Sequence, residues 1–148
     1  MPETNRKTTE APRPARRQTS GSVSSIATGL QGLAGLLGAG GVAVAAAAAH
    51  RGGGDITAIA ANMMLIHAAA IFAILASTQH STSRAVLLGV IAMLIGAVLF
   101  SGELALAGLT GERPWPTAAP IGGSLLIAGW LVVGLAMVYR AVMGAAKP

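Results

Sequence analysis

The sequence predicts an all-α integral membrane protein, a single four-helix transmembrane bundle. Hydrophobic residues make up 53% of the 148 residues and charged residues only 10%, whereas a typical soluble domain has about 25% charged residues. The apolar residues form four segments that are long enough to cross a bilayer as helices, and no segment alternates like a membrane β-strand. A mean hydropathy of +0.67 excludes a soluble globular enzyme and a disordered regulator.

The chain begins with a polar tail, residues 1–25, which is rich in Thr, Ser, Pro and Arg. Pro2, Pro12 and Pro14 discourage a helix, and the segment is too polar to form a core. We expect a disordered basic tail whose charges set the orientation of the protein, with contact to anionic lipid headgroups as the alternative. Since five of the ten Lys and Arg residues lie in this tail, the positive net charge does not indicate nucleic-acid binding.

The first apolar span covers residues 26–49 and contains no charged residue. Gly35, Ala39, Ala43 and Ala47 repeat every four residues, which gives a stripe that lets another helix approach closely in lipid. A cleaved signal peptide is the alternative, because a basic segment precedes the span and small residues end it. The length of the apolar run favours a retained helix.

Three further spans follow, at residues 56–76, 85–107 and 119–139, separated by short polar loops. The membrane domain therefore covers residues 26–140, and residues 141–148 form a short tail.

Basic residues near the ends of the spans predict that both termini lie in the cytoplasm. This orientation puts eight basic residues inside: Arg6, Lys7, Arg13, Arg16, Arg17, Arg84, Arg140 and Lys147. It leaves two outside, Arg51 and Arg113. We expect a multi-pass protein in the inner membrane of a bacterium.

Polar side chains at membrane depth are the candidates for a functional site, because an unpaired ionisable group there costs about 2.5 kcal/mol or more. The predicted topology puts six of them in the outer half of the bundle, where they form a candidate polar pocket: His50, Asn62, His67, Ser101, Glu103 and Thr117.

This pocket has three chemical interpretations and one structural interpretation. A His–Glu pair relays protons, two His and one Glu bind a metal ion, and two His ligate haem. The structural alternative is that these groups bond one another and backbone carbonyls and so lock the helices together. We favour it, because only His50 and His67 lie at depth and their spacing matches no ligand pattern. We assign no cofactor, metal or catalytic residue.

Four sequence blocks within residues 30–140 carry a family resemblance: Ala49-His50, His67-Ala68-Ala69, Phe100-Ser101-Gly102-Glu103-Leu104, and Thr117 to Gly123 followed by Gly129-Trp130. They resemble the small membrane family catalogued as domain of unknown function 423, which includes transmembrane protein 256 of animals and small bacterial inner-membrane proteins. The resemblance implies four helices and an inner-membrane location, and no reaction. Glu103 stands where the family usually has Ser, so the resemblance gives it no role.

The leading functional hypothesis is a non-enzymatic accessory or assembly component. Its partners are the lipid bilayer and, through helix–helix contacts, other membrane subunits or a second copy, without nucleic acid. The alternative is a small proton or solute transporter or channel that uses the candidate pocket. An enzyme is the third hypothesis, and the sequence offers it no nucleophile and base in a recognisable pattern.

Overall fold

Four α-helices account for most of the structure, a computed structural model that describes residues 16–51, 54–79 and 82–145. They are α1 (Arg16–Arg51), α2 (Gly54–Thr78), α3 (Arg84–Thr110) and α4 (Ala118–Ala145). Ser25–His50 of α1 and the whole of each other helix are long and apolar enough to cross a membrane. No strand occurs in the described ranges, so the predicted all-α class and the four helices of membrane-spanning length and apolarity are confirmed.

The first helix is longer than its predicted span. Residues 16–25, predicted to belong to the disordered tail, form the first turns of α1. No proline lies between Pro14 and the end of α1, and extending a helix adds one hydrogen bond for each residue fixed, so the apolar helix propagates back into the polar segment. At the other end of the chain, α4 runs to Ala145. The rest of the two predicted tails, 1–15 and 146–148, lies outside the described residues.

Neighbouring helices are antiparallel, and α3 is central. α3 packs against all three other helices, whereas no Cα of α4 lies within 8 Å of a Cα of α1 or α2 in the described residues. The α1–α2 and α3–α4 connections lie at the same end of the bundle, which we call the upper end. The core is built from aliphatic side chains on α1, α2 and α3, with a smaller share from α4: Leu30, Leu37, Ile71, Leu75, Val86, Val90, Met93, Leu126 and Val133.

A glycine seam joins α3 to α4, formed by Gly89 and Gly96 on α3 and by Gly122 and Gly129 on α4. A Cβ at Gly96 would lie 2.8 Å from the carbonyl oxygen of Gly122, and a Cβ at Gly129 would lie 2.8 Å from that of Gly89. The glycines of each helix are seven residues apart, a spacing that returns to the same helix face. The two backbones therefore come into contact at these glycines, with the side chains of Met93 and Val133 packed beside them.

The contact between α1 and α2 is made differently. A Cβ at Gly38 would lie 3.4 Å from Cβ of Ala68, and one at Gly41 would lie 2.9 Å from Cγ of Leu65. In the predicted small-residue stripe of α1, by contrast, Ala39 and Ala43 are exposed. The fold therefore uses a neighbouring face of α1 for α2 and leaves most of the stripe uncovered.

Both ends of α3 are capped by side-chain or backbone groups. The Ser83 hydroxyl accepts a hydrogen bond from the Val86 N–H, and Gly111 adopts the left-handed conformation (φ 76°) while its N–H bonds the Ala107 carbonyl. These caps fix where the central helix starts and stops, and so fix the depth of the polar residues that it carries.

Candidate functional site

The structure separates the six residues of the candidate pocket into two groups. Three are buried, with 5%, 0% and 3% of their surface exposed: His67, Ser101 and Glu103. Three are exposed: His50 at the end of α1, Asn62 on α2 and Thr117 in the turn before α4. The six residues therefore do not line one common pocket.

His67 uses both nitrogens of its ring. Its Nδ1 lies 2.8 Å from the carbonyl oxygen of Met63, and Nε1 of Trp130 lies 3.3 Å from its Nε2. A carbonyl only accepts and an indole N–H only donates, so His67 must carry its proton on Nδ1 and accept at Nε2. The two contacts therefore assign the donor role to Nδ1 and the acceptor role to Nε2.

The His67–Trp130 hydrogen bond connects two helices whose backbones stay apart. His67 belongs to α2 and Trp130 to α4, and the rings meet edge to face with centroids 6.2 Å apart. The indole is 45% exposed and the imidazole is buried, so the tryptophan closes over the histidine from the outside. The contact links α4 to the rest of the bundle beyond its packing on α3.

The positions of His50 and His67 do not fit a pair of ligands to one haem iron or one metal ion. Gly41 packs on Leu65, so antiparallel packing separates the levels of His50 and His67 by eleven residues, about 16 Å. Two axial ligands of one iron lie far closer together. In the described part of the chain, no three His, Asp or Glu side chains are grouped to hold a metal ion.

Ser101 and Glu103 lie on different faces of α3, although only Gly102 separates them in sequence. Ser101 is seven residues before Gly108, which packs against Thr57 of α2. Glu103 is seven residues after Gly96, which belongs to the glycine seam with α4. Helix positions i and i+2 do not face each other, so the hydroxyl and the carboxyl point to opposite neighbours.

The buried oxygens of these two residues have no hydrogen-bond partner among the described residues. Most buried polar atoms in folded proteins are bonded, which makes the Glu103 carboxyl and the Ser101 hydroxyl exceptions among the residues that the structure describes. Glu103 also lies five residues, about 8 Å, above the level of His67, as judged from the Gly108–Thr57 contact. A direct His–Glu relay is therefore absent from this arrangement of the described residues.

The exposed members of the set differ in their surroundings. The carbonyl of Thr117 accepts the N–H of Ile121 at 3.2 Å in the first turn of α4. Asn62 lies eight residues into α2, about 12 Å along its axis, and its side chain makes no hydrogen bond with any described residue. Asn62 therefore presents a free amide on the outer surface of an apolar helix.

Sequence reasoning missed Trp130 as the partner of His67, Thr57 as a fully buried residue, and the glycine seam. The seam had a signal, because Gly89–Gly96 and Gly122–Gly129 share a spacing of seven. The other two had none, since apolar residues surround each helix and leave its rotation undetermined.

The comparisons with known proteins bear on the family. The family model described as "Protein of unknown function (DUF423)" matches residues 37–123, which include the end of α1, all of α2 and α3, and the start of α4. A search of curated proteins and a search of solved structures each gave no significant match. The family match covers more than half of the chain and confirms the resemblance found in the four sequence blocks. The chain belongs to the DUF423 family of proteins of unknown function.

Proposed function

We propose that this protein is a non-enzymatic membrane subunit, an accessory or assembly component, that works by pairing its helices with those of another membrane chain. The observation that carries the proposal is Asn62, an exposed amide on α2 without a hydrogen bond to any described residue. Lipid offers an amide neither a donor nor an acceptor. A polar side chain on a transmembrane surface favours association with a helix that can bond it.

A second copy of the chain fits this amide best. A carboxamide both donates and accepts, so two Asn62 side chains satisfy each other across a two-fold axis. Ile59 and Ile66 lie within one turn of Asn62 and are 44% and 58% exposed, which gives the amide an apolar surround. In model peptides, a polar contact of this kind contributes about 1–2 kcal/mol to helix association.

The membrane and topology belong to the same proposal. We place both termini in the cytoplasm of a bacterium and the protein in the inner membrane, because Arg84 and Arg140 lie at the lower end of the bundle and Arg113 at the upper end. The exposed Trp115 lies in the turn before α4, and the exposed Tyr139 lies near the other end of this helix. Ala118 and Tyr139 are about 32 Å apart along the helix, close to the thickness of the bilayer core.

Disulfide crosslinking tests the pairing, because the chain has no cysteine of its own. Ile59→Cys and Ile66→Cys should each crosslink two copies in native membranes. Leu135→Cys is the matched control, since this residue of α4 is 69% exposed and lies on another helix. Asn62→Leu should abolish the crosslinks by removing the amide while keeping an apolar surface.

Two results would contradict the proposal. One is equal crosslinking of Leu135→Cys and Ile66→Cys, which random collision produces. The other is a protein that stays monomeric in membranes and co-purifies with nothing in mild detergent. If mass spectrometry instead finds a different chain that is lost in Asn62→Leu, the accessory role stands and the second copy is replaced as the partner.

A proton or solute pathway is the second candidate, and the unpartnered Glu103 carboxyl favours it. This candidate predicts a proton or solute flux in proteoliposomes that Glu103→Gln abolishes. His67→Ala should also reduce the flux if His67 belongs to the path. Wild-type protein that is folded and shows no flux would remove this candidate and leave the pairing proposal untouched.

A further inference from the structure

Glu103 is a buried carboxyl group on the central helix of the bundle. Only 3% of its surface is exposed, and neither Oε1 nor Oε2 has a hydrogen-bond partner among the described residues. Its segment, Arg84–Thr110, is the most apolar of the four candidate spans. Glu103 therefore combines a titratable group, deep burial and an unsatisfied environment.

The glycine seam fixes what lies opposite Glu103. Gly96 packs on Gly122 and Leu126 of α4, and Glu103 follows Gly96 by seven residues on the same face of α3. The antiparallel register therefore brings Glu103 opposite residues 115–119, the turn before α4 and its first residues. The N–H groups of Ala118 and Ile121 in this first turn already donate to the carbonyls of Trp115 and Thr117.

An ionised carboxylate is poorly tolerated in this position. Burial removes the water that stabilises its charge, and no counter-charge or hydrogen bond from the described residues replaces that water. The group must therefore be neutralised, either by a bound cation or by a proton.

The surroundings favour the proton over a metal cation. Hard cations require several oxygen ligands, and the nearest other side-chain oxygen on α3, the Ser101 hydroxyl, faces α2. No metal-binding group of three acidic or His side chains occurs in the described ranges.

We propose that Glu103 is a proton-binding site, a carboxyl group that is held as the neutral acid inside the membrane domain. The proton is its ligand, and the helix seam excludes both water and metal ions from it. This site does not depend on Asn62 or on pairing of two copies. Glu103 is the titratable group that the proton or solute pathway of the second candidate function requires. The proposed proton-binding site does not require that a proton crosses the membrane.

Carbodiimide labelling of the full-length protein in membranes tests the proposal. The O–H of a protonated carboxyl adds across one C=N bond of dicyclohexylcarbodiimide, and the adduct rearranges to a stable N-acylurea with no leaving group. This lipophilic reagent should label Glu103, as located by peptide mass spectrometry. A water-soluble carbodiimide with an amine should label the exposed Asp55 and Glu112 and spare Glu103.

Glu103→Gln should lose the lipophilic label, whereas Glu112→Gln should keep it. Infrared spectra supply a second measurement that needs no reagent: the wild type should show the C=O stretch of a protonated acid that is missing from Glu103→Gln. The proposal is overturned if the lipophilic reagent spares Glu103, or if sodium ions protect it from labelling. Labelling without flux in proteoliposomes keeps the proton site and removes the transport candidate.

Discussion

The two helix pairs of this bundle solve the same packing problem in different ways. In the α3–α4 pair, glycine faces glycine, and the atoms nearest to an added Cβ include backbone atoms: the carbonyl of Gly122 for Gly96, and the N–H of Phe100 for Gly122. In the α1–α2 pair, glycine faces side chains, and the nearest atom to a Cβ at Gly40 is the terminal methyl of Met64. At Gly40 the limiting group is therefore flexible, whereas a Cβ at Gly41 of the same seam would also lie 3.2 Å from the carbonyl oxygen of Ala61.

This difference indicates how each seam responds to change. A backbone atom moves only if its whole helix moves, whereas the end of a Met side chain can adopt another rotamer. The unsatisfied carboxyl of Glu103 and the indole of Trp130 both depend on the position of α4. Both candidate groups therefore depend on the α3–α4 seam, where glycines meet backbone atoms of the facing helix. A substitution at Gly40 in the α1–α2 seam should be tolerated better, because it meets the end of a Met side chain.

The largest expected effect comes from filling the glycine seam. A Cβ at Gly122 would lie 2.5 Å from the backbone nitrogen of Phe100 and 2.7 Å from the carbonyl oxygen of Gly96. Gly122→Ala must therefore push α4 away from α3, and overpacking of this kind costs about 1–3 kcal/mol. The free energy of unfolding in mixed detergent, followed by circular dichroism, measures it.

Matched controls exist on the same two helices. Gly102 on α3 and Gly134 on α4 have nothing within 4 Å of an added Cβ. Alanine is a better helix former than glycine by about 1 kcal/mol, so Gly102→Ala and Gly134→Ala should leave stability unchanged or raise it. Equal losses for Gly122→Ala and Gly134→Ala would show that the seam is not backbone-limited.

The next effect concerns the hydrogen bond from Trp130 to His67. Trp130→Phe keeps an aromatic ring and removes the donor, and His67→Leu removes the acceptor at similar volume. A double-mutant cycle should give a coupling of about 0.6 kcal/mol, with about 1.7 kcal/mol as the upper end for such bonds in membranes. The unfolding free energies of the four proteins in detergent measure this coupling.

Trp115 supplies the control for that cycle. It lies in the turn before α4 and is 67% exposed, so Trp115→Phe and His67→Leu should be additive. Additivity of Trp130→Phe with His67→Leu as well would mean that the two rings do not interact in the folded protein, and that α4 is held by its seam with α3 alone.

Hydropathy was enough to predict the four helices, because an apolar run of bilayer length has few other solutions. It could not predict which residues meet. His67 and Glu103 are both polar residues in apolar helices. Because Ala, Gly and Leu occur on every face, the sequence does not determine which face of either helix packs against its neighbours. Their convergence was therefore a hypothesis that the helix contacts do not support.

Glycine spacing shows the same limit in another form. Both the stripe that begins at Gly35 and the pair Gly89–Gly96 mark faces that a neighbour can approach closely. The structure places α4 on the second face and leaves Ala39 and Ala43 of the first uncovered. Spacing identifies a face that accepts a helix, and only the fold decides which helix, if any, lies on it.

The smallest expected effect is at Gly40, where the tolerant seam can be examined directly. A Cβ there would lie 2.7 Å from Cε of Met64, nominally as close as the contacts that make Gly122→Ala costly. Because Met64 can swing its methyl group away, Gly40→Ala should change the unfolding free energy by less than about 1 kcal/mol, the gain in helix propensity offsetting the displaced methyl.

The same substitution in a Met64→Ala variant separates the gain in helix propensity from the cost of displacing the methionine methyl. In Met64→Ala the obstructing methyl is gone, so Gly40→Ala should become stabilising there, by up to the roughly 1 kcal/mol that alanine gains over glycine in a helix. The same unfolding assay in detergent compares the two backgrounds. An equal, large loss in both would mean that backbone, and not the methionine, limits the α1–α2 contact, and the contrast between the two seams would disappear.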